Sequence, residues 1–162
     1  MRICLAQTST DFMVIETLAN TIWREYYIPI IGKLQVDYML KNFQSVNSIK
    51  KEVTHGMLYF LLKQDDFFVG YVAIKEEKDT LFLSKFYILK TFRRMGLGKK
   101  TVLFIEKKAK EKHLKNIRLT VNVNNIKAIN TYTRLGFVNT APLVTDIGNG
   151  FIMDDFEMFK RL

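Results

Sequence analysis

Residues 57–88 constrain the fold more than any other part of the chain. "GMLYFLLKQDDFFVGYVAI" is two β-rich runs joined at Gln64-Asp65-Asp66, which reads as a hairpin, and "TLFLSKFYIL" adds a third run. The apolar side chains of this third run are nearly continuous, as in a strand covered on both faces. It is therefore expected at the centre of a sheet.

The flanking segments complete a mixed α/β pattern. Ile3 to Ala6 is a short strand, and a helix starts after Thr10-Asp11, with Phe12, Ile15, Leu18, Ala19 and Ile22 at helical spacing. Pro29 and Gly32 are expected to end it, and Lys33 to Phe43 reads as a second helix. Beyond the third run, Lys99 to Lys112 is an amphipathic helix on Val102, Ile105 and Ala109, with Leu103 and Phe104 widening the stripe. "IRLTV" is a strand and Lys127 to Leu135 a short helix with Ala128, Tyr132 and Leu135 on one side. Gly136 fits the left-handed position that closes that helix, and Phe137 the apolar residue after it. Two last strands turn at Gly148-Asn149-Gly150. The expected order is βααβββαβαββ.

At 162 residues with 48% apolar content, and with no repeat or Pro/Gly/Ser-rich linker, residues 1–162 read as a single domain. The lone cysteine, Cys4, excludes an internal disulfide and is read as a small buried residue of the first strand. The two histidines, His55 and His113, are far apart in sequence, so no metal site is expected. The N-terminal segment turns polar too soon for a signal peptide, and no apolar run nears the ~20 residues of a membrane helix. A cytoplasmic, reducing setting is the expectation.

The net charge of +9 is unevenly placed. Lys85 to Arg118 holds twelve Lys or Arg against Glu106 and Glu111, an excess of ten that leaves the rest of the chain near neutral. Such a stripe is either a solvated helix face or a site for a polyanion.

At its centre stands "RRMGLGKK", with Gly96 and Gly98 among four cations. A Walker loop would need a glycine where Arg93 stands and a Ser or Thr where Lys100 stands. A dinucleotide fingerprint would need a small residue at Thr101 and a place at the first strand-to-helix turn of the chain. A third reading asks only that the turn between a central strand and a helix present unpaired N–H groups and the positive helix dipole to an anion. Arg93, Arg94, Lys99 and Lys100 would then screen a ligand with several phosphates.

A second feature begins 27 residues after Gly98. In "NNIKAINTYTRLGF", Asn125, Ala128, Tyr132, Gly136 and Phe137 stand at the spacing Asn-x2-Ala-x3-Tyr-x3-Gly-Phe. Asn124 or Asn125 caps a helix, Ala128 leaves room for close packing, and Tyr132 lies one turn further along the same side. Taken alone, Tyr132 reads rather as a core tyrosine with a satisfied hydroxyl.

Together the two features resemble the GNAT superfamily of N-acetyltransferases, whose Gln/Arg-x-x-Gly-x-Gly/Ala motif is matched by Arg93, Gly96 and Gly98. Asn125 to Phe137 matches its second motif. The resemblance spans about Met57 to Phe137 and implies a mixed, mostly antiparallel sheet of about seven strands flanked by helices. It also implies acetyl-CoA as co-substrate. The pyrophosphate would meet the backbone of Arg94, Met95, Gly96, Leu97, Gly98 and Lys99 beside Arg93. The pantetheine arm would pair with Phe86, Tyr87 and Ile88, and Asn125 would hold it from the other side.

An amine of pKa ~10.4 is only about 0.04% unprotonated at pH 7, so attack on a thioester needs proton removal. The resemblance makes Tyr132 the general acid that protonates the departing thiolate. Many family members carry a basic carboxylate on the strand before the glycine turn, but here Lys85 is the only charge on it. Candidate bases are a water chain, Glu76 or Glu77, and Asp154 or Asp155, the last pair otherwise reading as a solvated strand end. Trp23, Tyr26 and Tyr27 are the aromatics expected to wall the acceptor pocket, although core packing explains them too. A small amine such as a polyamine, or a peptide N-terminus, is the expected acceptor. The alternatives are a non-catalytic acyl-CoA binder and, less favoured, a nucleic-acid-binding module. Whether the chain acts alone or as a homodimer is left open.

Overall fold

The computed structural model describes residues 1–162. Its elements run β1 (Arg2–Leu5), α1 (Ser9–Tyr26), α2 (Ile28–Ile31), α3 (Lys33–Phe43), α4 (Val46–Thr54), β2 (Met57–Gln64), β3 (Phe67–Glu77), β4 (Thr80–Ile88), a 3-10 turn, α5 (Leu97–Glu111), β5 (Asn116–Asn122), α6 (Ile126–Arg134), β6 (Val138–Gly148) and β7 (Phe151–Arg161). The seven strands form one sheet in the order β1-β2-β3-β4-β5-β7-β6. β4 is its middle strand, as the unbroken apolar run predicts. Only β4 and β5 are shown to pair in parallel, from Thr80↔Asn116 to Leu83↔Leu119; β1–β2, β2–β3, β5–β7 and β6–β7 are antiparallel. The expected mixed, mostly antiparallel sheet is what forms.

The chain divides into two compact units. The first comprises Met1–Lys75 and Lys85–Thr101. Here Thr8 caps α1 by accepting from the Asp11 amide while the Asp11 carboxylate accepts from the Thr8 amide, a reciprocal pair that fixes the helix start. Phe12, Ile15, Leu18, Ala19 and Ile22 are buried, so the predicted stripe is the core face. Pro29 does not end α1: it opens the short helix α2, where its missing N–H costs nothing, and Gly32 at φ 82° turns the chain into α3. Two helices were not foreseen, the four-residue α2 and the longer α4. α4 starts at a Ser45 cap and buries Ile49; Val46, Ile49 and Val53 stand at helical spacing, a stripe only nine residues long between polar neighbours.

The second unit comprises Glu76–Ser84 and Val102–Leu162. Val102, Ile105 and Ala109 of α5 are buried together with Leu81, Leu83, Ile117, Leu119, Phe137 and Met158. Leu103 does not join them: it is 53% exposed, and Phe104 is half-buried with the Lys108 ammonium 5.8 Å over its ring. The stripe is therefore narrower than expected. Gly136 closes α6 at φ 90°, in the predicted left-handed conformation.

Candidate functional site

In the first unit the glycine turn follows β4. Arg93 donates its Nε–H to the Ile88 carbonyl at 2.8 Å and lays its guanidinium 4.8 Å over the Tyr26 ring, so this cation braces the turn. Arg94 takes a left-handed φ of 63° and Gly96 one of 75°. A side chain at 94 tolerates this only at a cost of about 1 kcal/mol, the sort of strain that gathers at working sites. The Arg93 amide bonds Lys90, and the ladder of α5 begins with the Lys100 amide on the Gly96 carbonyl at 3.1 Å. Between them, the amides of Arg94, Met95, Gly96, Leu97, Gly98 and Lys99 have no acceptor within the protein. These six donors stand at the positive end of a 15-residue helix.

The strand before the turn is held by close backbone contact. A Cβ built on Gly70 would lie 2.3 Å from the Tyr87 carbonyl oxygen, so only glycine lets β3 approach β4 there. The Leu89 amide donates to the Val69 carbonyl at 2.8 Å. Phe86, Tyr87 and Ile88 are half-buried. Tyr87 also joins the aromatics expected to wall an acceptor pocket: its ring centroid is 5.5 Å from that of Trp23 and 6.1 Å from that of Tyr27, and Trp23 stacks on Tyr27 at 4.5 Å. Tyr26 meets Tyr27 edge-on at 5.2 Å. Trp23 is buried, whereas Tyr26 and Tyr27 are half-buried. The first helix and the strand before the turn thus share one aromatic cluster.

Lys85, the only charge of β4, is buried at 6% exposure. It donates to Glu52 of α4 and to the Tyr59 hydroxyl, which itself donates to the same carboxylate oxygen of Glu52. Burial holds the Lys85 ammonium below the ordinary lysine pKa, opposed by the Glu52 charge, and burial raises that of Tyr59. Sequence reading missed this cluster because α4 was itself missed. Glu52→Gln leaves the ammonium buried without its counter-charge, and a loss of about 3 kcal/mol in urea unfolding is expected.

In the second unit Asn125 caps α6, its Oδ1 accepting from the Ala128 amide at 3.2 Å, as the cap reading predicts. It is buried, and its amide bonds the Asn122 carbonyl at 2.8 Å. Tyr132 is half-buried rather than a core residue, with its ring edge-on to Phe137 at 5.7 Å.

The carboxylates named from sequence separate sharply. Glu76 pairs with Lys112 at 2.5 Å, and Glu77 holds Arg118 through two bonds of 2.6 and 2.7 Å. Asp154 is exposed. Asp155 is not a solvated strand end: β7 runs on to Arg161, and Asp155 is 4% exposed opposite Asn122. Burial pushes its carboxyl up to about 6; the Thr120 hydroxyl opposes this shift and Asp154 adds to it. The folded state therefore binds this proton more tightly than the unfolded chain does. That contribution to stability is full below pH about 4 and is lost as pH rises through about 6. Asp155→Asn is expected to stabilise the protein at pH 8, by up to about 3 kcal/mol, in thermal unfolding.

Other expectations are revised by the structure. Cys4 is exposed, because β1 is a four-residue strand at the sheet edge. Half of the basic stripe is neutralised: Lys85, Lys90, Lys107, Lys108, Lys112 and Arg118 all pair with carboxylates. No helix is long and apolar enough to cross a membrane. A cavity of about 620 Å³ lined by Lys110, His113, Lys115 and Arg161 includes none of the predicted site residues.

Comparison with known proteins gives one family and one fold. The model of the acetyltransferase (GNAT) family matches residues 15–137. No curated protein sequence matches. Among solved structures, the PaiA N-acetyltransferase from Thermoplasma acidophilum in complex with coenzyme A is 21% identical, with a TM-score of 0.83 over 100% of both chains. The ribosomal-protein-S18-alanine N-acetyltransferase from Escherichia coli is 16% identical with a TM-score of 0.73, over 99% of this chain and 92% of that one. A spermidine N-acetyltransferase chimera from Vibrio cholerae is 18% identical with a TM-score of 0.69, over 99% and 96%. At these identities the likeness is one of fold.

Proposed function

We propose, because the chain belongs to the acetyltransferase (GNAT) family, that it moves an acetyl group from acetyl-CoA to a primary amine of a small molecule or peptide, with residues 1–162 serving as one acetyltransferase domain in the cytoplasm. The observation that carries this reading is the run of six amides without acceptors from Arg94 to Lys99. A pyrophosphate offers oxygens for such donors, and charge-assisted bonds of this kind are the strong ones. Arg94, Lys99 and Lys100, exposed and free of ion pairs, add charge there.

The remaining assignments follow the family's motifs. The pantetheine arm runs along Phe86, Tyr87 and Ile88, with Asn125 as its second support, and Tyr132 gives its phenolic proton to the departing thiolate. Trp23, Tyr26 and Tyr27 line the acceptor's approach. Similar folds include enzymes named for spermidine and for an S18 alanine, so both polyamines and peptide N-termini belong in any test.

A thiol-release screen of the purified protein with acetyl-CoA across polyamines, amino acids, aminoglycosides and peptide N-termini checks the reading. Release with at least one class is expected. Tight CoA binding with no release from any amine would instead make the chain an acyl-CoA binder.

A further inference from the structure

The ion pairs of this protein leave one buried carboxylate out. Glu52 has Lys85, Glu77 and Glu157 share Arg118, Glu106 has Lys160, and Asp37 has Arg24 and Lys33. Asp155 is less exposed than any of these acids, yet no cation reaches it. Asp155 is the only acid of the chain that is buried, and a buried carboxylate without a counter-ion is costly, so such a group points to a task.

Its place in the sheet relates it to α6. Asp155 lies opposite Asn122 of β5 and Leu143 of β6. The neighbouring Asp154 carbonyl accepts from the Val123 amide at 3.0 Å, and Asn122 accepts from the amides of Asn124 and Asn125, 3.0 and 2.8 Å away. These bonds tie β7 to the turn that starts α6, the helix that carries Tyr132. The charged groups around Asp155 are few. Asp154 and Glu157 stand on its own strand, Arg118 of β5 is held by Glu77 and Glu157, and the only charge of β6 is Asp146, opposite Ile152.

We infer that the cation Asp155 lacks is the ammonium group of the acceptor, which Asp155 binds and deprotonates. This rests on the acetyl transfer proposed above. The carboxylate takes one proton from the ammonium, and the free amine forms its C–N bond to the thioester carbon. As the C–S bond breaks, the thiolate takes the Tyr132 proton, and the second proton of the nitrogen returns to the Tyr132 oxygen. Asp155 then releases its proton to water. A carboxyl titrating at about 6 is mostly ionised at pH 7 and so ready to accept.

The test compares wild type, Asp155→Asn and Asp154→Asn in pH–rate profiles with the best amine, with thermal unfolding at pH 8. Asp155→Asn should lower kcat at least 100-fold, leave the KM for acetyl-CoA unchanged, abolish the fall in rate below pH about 6, and raise the melting temperature. Asp154→Asn should leave the profile as it is. An acidic limb that survives in Asp155→Asn overturns the inference, as does unchanged kcat. Should wild type release no thiol with any amine, calorimetry with spermidine and propylamine decides separately. Binding at least 10-fold weaker in Asp155→Asn upholds the site; equal binding, or none by wild type, removes it.

Discussion

Tyr132→Phe is expected to lower kcat about 100-fold or more while acetyl-CoA binds with unchanged affinity. The substitution deletes one oxygen and keeps the ring whose edge meets Phe137 at 5.7 Å, so this packing of α6 is retained. With the proposed role, what is lost is the proton for the leaving thiolate. General acid catalysis of this kind contributes about 10²–10⁴-fold, or about 3 kcal/mol at its lower end. Because the thiolate forms only as the C–S bond breaks, the loss belongs in kcat and not in cofactor binding. Stopped-flow or steady-state thiol release, paired with acetyl-CoA calorimetry, separates the two. A variant that turns over normally removes the general-acid role.

Gly96→Val is expected to weaken cofactor binding by a different route. Gly96 sits at φ 75°, where a β-branched side chain is strained whatever space surrounds it, and none of the protein's atoms crowds that position. The cost is conformational, so relief comes by rotating φ, which re-aims the neighbouring amides. Losing two charge-assisted bonds of about 1.5 kcal/mol each would weaken CoA about 150-fold. A calorimetric titration of CoA against both proteins reads this directly. Gly98→Ala is a useful contrast on the protein side, since its Cβ would meet the Phe86 ring at an ordinary 3.9 Å.

The parts of this fold that could be read from sequence are those where a local pattern and its tertiary cause coincide. The unbroken apolar run of β4 announces a middle strand because a middle strand is covered on both sides, and the spacing in α1 announces its buried face. Where the pattern is short it did not stand out: in α4, Val46, Ile49 and Val53 are spaced for a helix of only nine residues. α4 buries Ile49 alone and is held partly from outside, by Glu16 accepting from the Val46 amide at 3.3 Å, a bond 30 residues long in sequence. Missing α4 meant missing Glu52, and so the buried partner of Lys85.

The site divides in the same way. The glycine turn was legible because free amides need permissive backbone at fixed positions, and the Asn125 cap because it is local. Asp155 was legible as a residue but not as a buried one. Its exposed neighbour Asp154 gives the pair the look of a strand end, and only the register of β7 against β5 shows otherwise. Arg93 was expected to face phosphate, yet its guanidinium finds the Ile88 carbonyl and the Tyr26 ring inside its own unit.

On the proposed function, the six unpaired amides of the glycine turn receive the CoA pyrophosphate. Amide nitrogen–proton correlation spectra recorded while CoA is titrated into the labelled protein test it residue by residue. Arg94, Met95, Gly96, Leu97, Gly98 and Lys99 are expected to show the largest downfield shifts, as each N–H gains an acceptor. CoA that binds while these six resonances stay in place would contradict it.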